Sequence, residues 1–209
     1  MIPKIRKKLW PHVYGNKKPS SKSKASEIIN SLYPDKKKSF SVLVKEHGTG
    51  IKSTLVRFKH QGLVIQDPDD LYCLTSFGIW FSISNQLGIT FLELCALACA
   101  CCVQERCSKN GKQGYYILPF FEEILGKYYA KNHLENVFSV LRTNGFGYRN
   151  SKKSLIVYPS LQKELTHRYG AHFTSLENWL DGIQQQEQAI FSAVLDNDSP
   201  ATGMEKQSK

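Results

Sequence analysis

The feature that most restricts what this chain can fold into is a pattern that occurs twice. Ile51, Leu55 and Phe58 fall at i, i+4 and i+7 on one face of a helix, and Gly62 follows where a helix commonly stops on a left-handed residue. Leu134, Phe138, Leu141 and Gly145 repeat the set 83 positions later. Each copy then runs into β-prone segments broken by turn-forming residues. In the first copy these are Leu63–Gln66 and Leu71–Thr75 around Asp67-Pro68-Asp69-Asp70; in the second, Leu155–Tyr158 follows a polar turn. Leu71 and Ser76 align with Leu155 and Ser160 at an offset of 84. Self-similarity at a near-constant offset predicts two copies of one structural unit.

The elements ahead of each stripe agree. In the first half, Ser26 is the expected N-cap of a helix reaching Pro34, with Ile28, Ile29 and Leu32 on one face. A second short helix follows, capped by Ser39 or Ser41, with Val42 and Val44 or Leu43 inward. Gly48-Thr49-Gly50 turns into a third helix over 51–61. Residues 76–89 read as an extension packed on this domain, with the boundary at 86–88. In the second half, a helix from Thr90 to Arg106 is apolar on nearly all sides and is predicted to be central. Pro119 opens a short helix, and 129–144 forms the third.

Helix, helix, turn, helix, β-hairpin is the order of the winged helix-turn-helix family. Ile51, Leu55, Phe58, Gly62, Leu63 and Val64, closed by Leu74-Thr75-Ser76-Phe77 and Gly78, resemble its third helix and wing. The expected fold is therefore α+β, mainly α: two tandem winged-helix domains, each of three helices plus a hairpin wing, with a C-terminal helical extension. The expected division is a basic arm at 1–24, domains at 25–86 and 87–160, a helical segment at 161–187 and a disordered tail at 188–209. One or two helices are expected between 160 and 183, carrying Leu161, Leu165, Phe173, Leu176, Trp179 and Leu180. That segment either supports a homodimer or packs back on its own domain.

The position of the charge bears on partners. Residues 1–38 hold eleven Lys or Arg and two acids, Glu27 and Asp35, so nearly all of the net +10 lies there. Such an arm draws polyanions through counterion release or is a solvated tail; a DNA-binding-like domain after it favours the first. Trp10, His12 and Tyr14 within it either stack on bases or dock on the first domain.

The resemblance implies double-stranded DNA as the partner, with the third helix in the major groove. Its outward residues are Thr49, Lys52, Ser53, Val56, Arg57 and Lys59, with His60 near the end. Arg57 suits a guanine edge and Lys52 a phosphate. Lys36, Lys37 and Lys38 either reach phosphate or form a solvated cluster. The acidic wing tip at 67–70 argues against close wing–phosphate contact. In the second copy Lys131, Asn132, His133, Glu135, Asn136 and Arg142 face outward, near Glu122 and Glu123. Asn132 and Asn136 suit adenine edges. Its wing is basic, with Arg149, Lys152 and Lys153 beside Tyr148. DNA contact and partner binding both remain open for this copy. The sharpest expectation is that helix 51–61 reads sequence while the second wing only positions.

Function then reads as sequence-specific DNA binding by a transcriptional regulator. The resemblance extends to plasmid or mobile-element replication initiators, and paired winged helices also serve as protein scaffolds. Phosphate-binding glycine loops, HExxH, paired carboxylates and nucleophile elbows are absent, so neither an enzyme nor a cofactor is expected. Cys95, Cys99 and Cys102 share one helix face, either as ligands of a metal cluster or as small hydrophobes. The longest apolar run contains Glu93 and falls short of the ~20 residues that span a bilayer. With no secretory-signal pattern in the first fifteen residues, a soluble cytoplasmic protein without a membrane partner is expected.

Overall fold

The computed structural model describes residues 23–126, 129, 131–149 and 153–197, with side chains to residue 185. The expected arm as far as residue 22, Lys152 and the expected tail from 198 lie outside these residues. The described chain is mainly helical, with eight α-helices and two three-stranded antiparallel sheets.

In the first half α1 (Lys24–Ser31) is capped by Ser23, whose Oγ accepts from the Ser26 amide at 3.2 Å. Ser26, expected as the cap, sits in the first turn, buried, and donates its hydroxyl to Asn85 at 3.3 Å. β1 (Lys38–Ser39) runs straight into α2 (Phe40–His47), where Ser39 is the cap. Leu43 is the buried residue of α2, and Val42 stays 42% exposed. A 3-10 turn (Thr49–Ile51) enters α3 (Lys52–His60). The hairpin β2 (Val64–Gln66) and β3 (Leu71–Leu74) follows, and β1 pairs with the far edge of β3. The segment read as an extension is a twelve-residue helix, α4 (Ser76–Leu87), ended by Gly88 in the left-handed region.

The second half repeats this order with α5 (Phe91–Lys109), β4 (Tyr116–Ile117), α6 (Leu118–Leu125), α7 (Lys131–Thr143), β5 (Gly147–Tyr148), β6 (Ser154–Val157) and α8 (Pro159–Asn197). The sheet orders are β1-β3-β2 and β4-β6-β5. The repeat extends to individual hydrogen bonds. The Leu63 amide donates to the Phe58 carbonyl at 2.9 Å, and the Phe146 amide to the Leu141 carbonyl at 3.0 Å. Both closures need the intervening glycine at positive φ, +68° at Gly62 and +79° at Gly145. Val64↔Leu74 and Ile65↔Cys73 correspond to Gly147↔Val157 and Tyr148↔Ile156, again 83 residues on. The expected hairpin offset of 84 is therefore one residue too long. A one-residue slip would turn β6 over, whereas Leu155 and Val157 are both fully buried. Ahead of the third helix the offset is 78, pairing Lys38 and Ser39 with Tyr116 and Ile117 and the buried Leu43 with Phe121. The extra five residues are taken up between α6 and α7.

Helix α5 is central, as its all-round apolarity predicts: every residue from Phe91 to Cys102 is buried. Its N-terminus holds a buried acid without strain, because Glu93 and Thr90 satisfy each other's amides in a capping box. Cysteine and alanine keep its surface shallow, and α8 packs along it. Leu165, Tyr169, Phe173, Leu176, Leu180 and Ile183 are all at most 3% exposed. Of the residues expected on this segment, Leu165, Phe173, Leu176 and Leu180 are thus buried within the chain, and Leu161 and Trp179 are partly buried against the same core. α8 is one helix of 39 residues, and the expected tail is helical as far as Asn197.

Two apolar cores form, and α4 belongs to both through Phe81 on one side and Trp80 and Ile83 on the other. Phe77, Trp80 and Trp179 join the halves with mutual ring-centroid distances of 5.2–5.3 Å. No single helix among the described residues is long and apolar enough to cross a membrane; α4 and α5 meet at 92°.

Inside the second half, the buried Gln104 amide donates to the Val157 carbonyl at 3.0 Å, and its oxygen accepts from the Val157 amide at 2.8 Å. Replacement by the similarly sized Met leaves two buried backbone groups unpaired. Gln104→Met is expected to lower unfolding free energy by about 1–3 kcal/mol in a denaturant titration.

Candidate nucleic-acid interface

Burial of Ile51, Leu55 and Phe58, each at most 1% exposed, turns the other side of α3 to solvent. Thr49, Lys52, Ser53, Val56, Arg57, Lys59 and His60 are all exposed there. No acid lies on α3, and Lys52 and Arg57 form no ion pair among the described residues. Lys59 donates to Gln66 at 2.9 Å, and Gln66 donates to Asp70 at 3.0 Å, so Lys59 ties the helix to the hairpin.

The lysine run divides. Lys37 pairs with Asp67 at 2.9 Å, and this cation together with the Leu71 and Asp69 amides holds the Asp67 carboxyl below the usual range. Lys38 grips Glu46 through both carboxylate oxygens, at 2.6 and 2.8 Å. Lys36 is exposed and forms no ion pair among the described residues. The acidic tip at 67–70 thereby has a structural cause: Asp67 organises its own turn by accepting from the Asp69 and Leu71 amides.

On α7 the outward residues are mixed and partly engaged. Lys131 lies 3.9 Å from Glu135, Asn132 accepts from the His133 amide at 3.0 Å, and Asn136 is exposed. Arg142, expected outward, is half-buried and donates to the Ser154 carbonyl at 3.0 Å. It stands at the structural position of Lys59 and does the same work, fastening the third helix to its hairpin. Burial and then Arg149 push its pKa down. Arg149 and Lys153 are exposed beside the hairpin turn. Tyr115 and Tyr158, which also reach this surface, carried no periodic signal that would single them out.

The cysteines lie away from this surface. Among the described residues no three His, Cys, Asp or Glu side chains are placed to hold a metal ion. Cys95, Cys99, Cys101 and Cys102 are buried, and burial raises all four thiol pKa values, Cys102 to about 12. Cys102 also faces Glu177, whose own carboxyl is raised by burial against the pull of Arg106, 2.5 Å away.

The chain matches no known protein family, curated protein or solved structure.

The thiols give a pH prediction. A folded pKa above the ordinary 9.0 means stability that is complete below pH 9.0 and lost as pH rises toward about 12, since only the unfolded chain ionises freely. Urea midpoints are expected to fall on the alkaline side of pH 9.0, and Cys99→Ala with Cys102→Ala should flatten that fall.

Proposed function

We propose that this chain is a tandem winged-helix protein that binds double-stranded DNA sequence-specifically, as a transcriptional regulator. One observation carries the reading: α3 presents a solvent face with Lys52, Arg57 and Lys59 and no acid, directly opposite a fully buried apolar stripe. An exposed helix of this width fits the major groove. Arg57 has the fork geometry for a guanine O6/N7 pair, Lys52 suits phosphate, and Val56, 47% exposed, offers an apolar contact to a thymine methyl. Ser53 and Thr49 add short hydroxyl donors at the entering end of the helix.

The hairpin beside α3 contributes less, because its acids are retained for its own turn and Lys37 is spent on Asp67. In the second unit α7 carries a mixed, partly self-paired face, while Arg149 and Lys153, exposed near the hairpin, form no ion pair among the described residues. The two copies divide the work: α3 reads bases, and the second hairpin sets position on the backbone. The basic segment ahead of residue 23 adds sequence-independent attraction for phosphate.

The test is a duplex selected from a randomised pool by the full-length chain. Lys52→Ala with Arg57→Ala is expected to reduce affinity for it by about tenfold or more per lost contact, with the unfolding midpoint unchanged. Undiminished affinity in the folded double variant contradicts the reading.

A further inference from the structure

The outer face of the second sheet has a composition that its counterpart lacks. Leu155 and Val157 of β6 point into the core, so Ile156 between them points outward. Ile156 is nevertheless only 3% exposed and belongs to neither core. Tyrosines cover it. Tyr148 on β5 lies directly opposite Ile156. Tyr115 directly precedes β4, whose Tyr116 pairs with Leu155, the neighbour of Ile156. Tyr158, just past the end of β6, places its ring centroid 5.5 Å from that of Tyr148. All three rings remain accessible: Tyr115 is 44% exposed, Tyr148 36% and Tyr158 43%. The matching positions in the first unit hold Lys37, Ile65 and Thr75, so the aromatic surface is peculiar to the second.

Cations adjoin the rings in the sequence. Residues 139–163 contain five Lys or Arg and no acid, and Arg149 and Lys153 stand exposed at the hairpin turn. Exposed rings on a sheet, flanked by cations without counter-charges, form a platform on which unpaired bases stack while the backbone is held electrostatically. Paired bases offer no free faces to such a surface, so it adds something that a duplex-reading helix cannot supply.

We propose that the outer face of the β4-β6-β5 sheet binds single-stranded DNA by stacking bases on Tyr115, Tyr148 and Tyr158, with Arg149 and Lys153 on the phosphates. The choice of DNA rests on the duplex-binding reading of α3; the stacking chemistry rests on the sheet alone. A chain with both surfaces would engage DNA where a duplex gives way to an unpaired strand.

The experiment measures anisotropy of labelled oligo(dT), oligo(rU) and a blunt random duplex with the full-length protein. Oligo(dT) is expected to bind in preference to oligo(rU). Tyr148→Ala with Tyr158→Ala should weaken oligo(dT) binding by about tenfold or more, and Tyr148→Phe with Tyr158→Phe should preserve it, because stacking needs the ring and not the hydroxyl. Should the alanine variant fail to fold, Arg149→Glu with Lys153→Glu, both at exposed positions, must abolish binding instead. Lys52→Ala with Arg57→Ala should weaken duplex binding and leave oligo(dT) binding intact, which separates failure of this proposal from failure of the duplex reading. No oligo(dT) binding by the unaltered chain, a preference for oligo(rU), equal loss in the phenylalanine variant, or insensitivity to both the alanine and glutamate substitutions would overturn it.

Discussion

One backbone hydrogen bond, repeated, sets the geometry on which both halves depend. The amide after a left-handed glycine returns to the last turn of the third helix, from Leu63 to Phe58 and from Phe146 to Leu141. It stops the helix and aims the chain back along it, so the hairpin must pack against the same apolar stripe that orients the helix. Further bonds lock the junction. The amides of Thr75 and Tyr158 reach the Leu63 and Phe146 carbonyls at 3.0 and 3.3 Å, and Lys59 or Arg142 ties helix to hairpin from the solvent side. With the closure fixed, the outward face of the third helix and the outer face of the sheet both follow from which residues the core has claimed.

The scaffold then tolerates divergence wherever the core makes no demand. Buried positions keep their character across the repeat: Leu55 and Phe138, Phe58 and Leu141, Leu43 and Phe121 all stay apolar and all stay inside. Solvent positions do not. A basic, acid-free α3 becomes a mixed α7, and a sheet face of Lys37, Cys73 and Ile65 becomes one of Tyr115, Ile156 and Tyr148. The two halves are joined by α4, which serves both cores, and the apolar stripe of α8 is buried along α5.

What was legible in the sequence was what has a period. The stripes at 51–58 and 134–141, the glycines after them and the uniformly apolar α5 were all visible, because helix spacing and left-handed stops leave a local signature. The first strand of each pattern is harder. β1 and β4 are two residues long, too short to alternate, so each sheet lost its third strand. α4 carries no clean apolar stripe because its buried face includes Ser82, Ser84 and Asn85; Ser82 reaches Asn30, and the Asn85 side-chain oxygen meets Ser26, only after folding. The identity of Leu71 with Leu155 suggests a hairpin offset of 84, whereas the strand pairing, visible only in the sheet, sets it at 83. At the candidate interface, composition located the exposed cations but not their partners. Lys37 meets Asp67 thirty positions away, and Arg142 meets a carbonyl across the hairpin. The tyrosine row was hidden for the same reason, since Tyr115 precedes β4, Tyr148 lies on β5 and Tyr158 follows β6.

The central claim is that one of two structurally equivalent helices reads DNA and the other does not. Backbone amide exchange across the full-length chain, with and without a selected duplex, tests it most directly, because it compares α3 and α7 within a single experiment. The account predicts slowed exchange over residues 49–60, with residues 131–143 unchanged. Slowing confined to 131–143, equal slowing in both helices, or no change in either would contradict it.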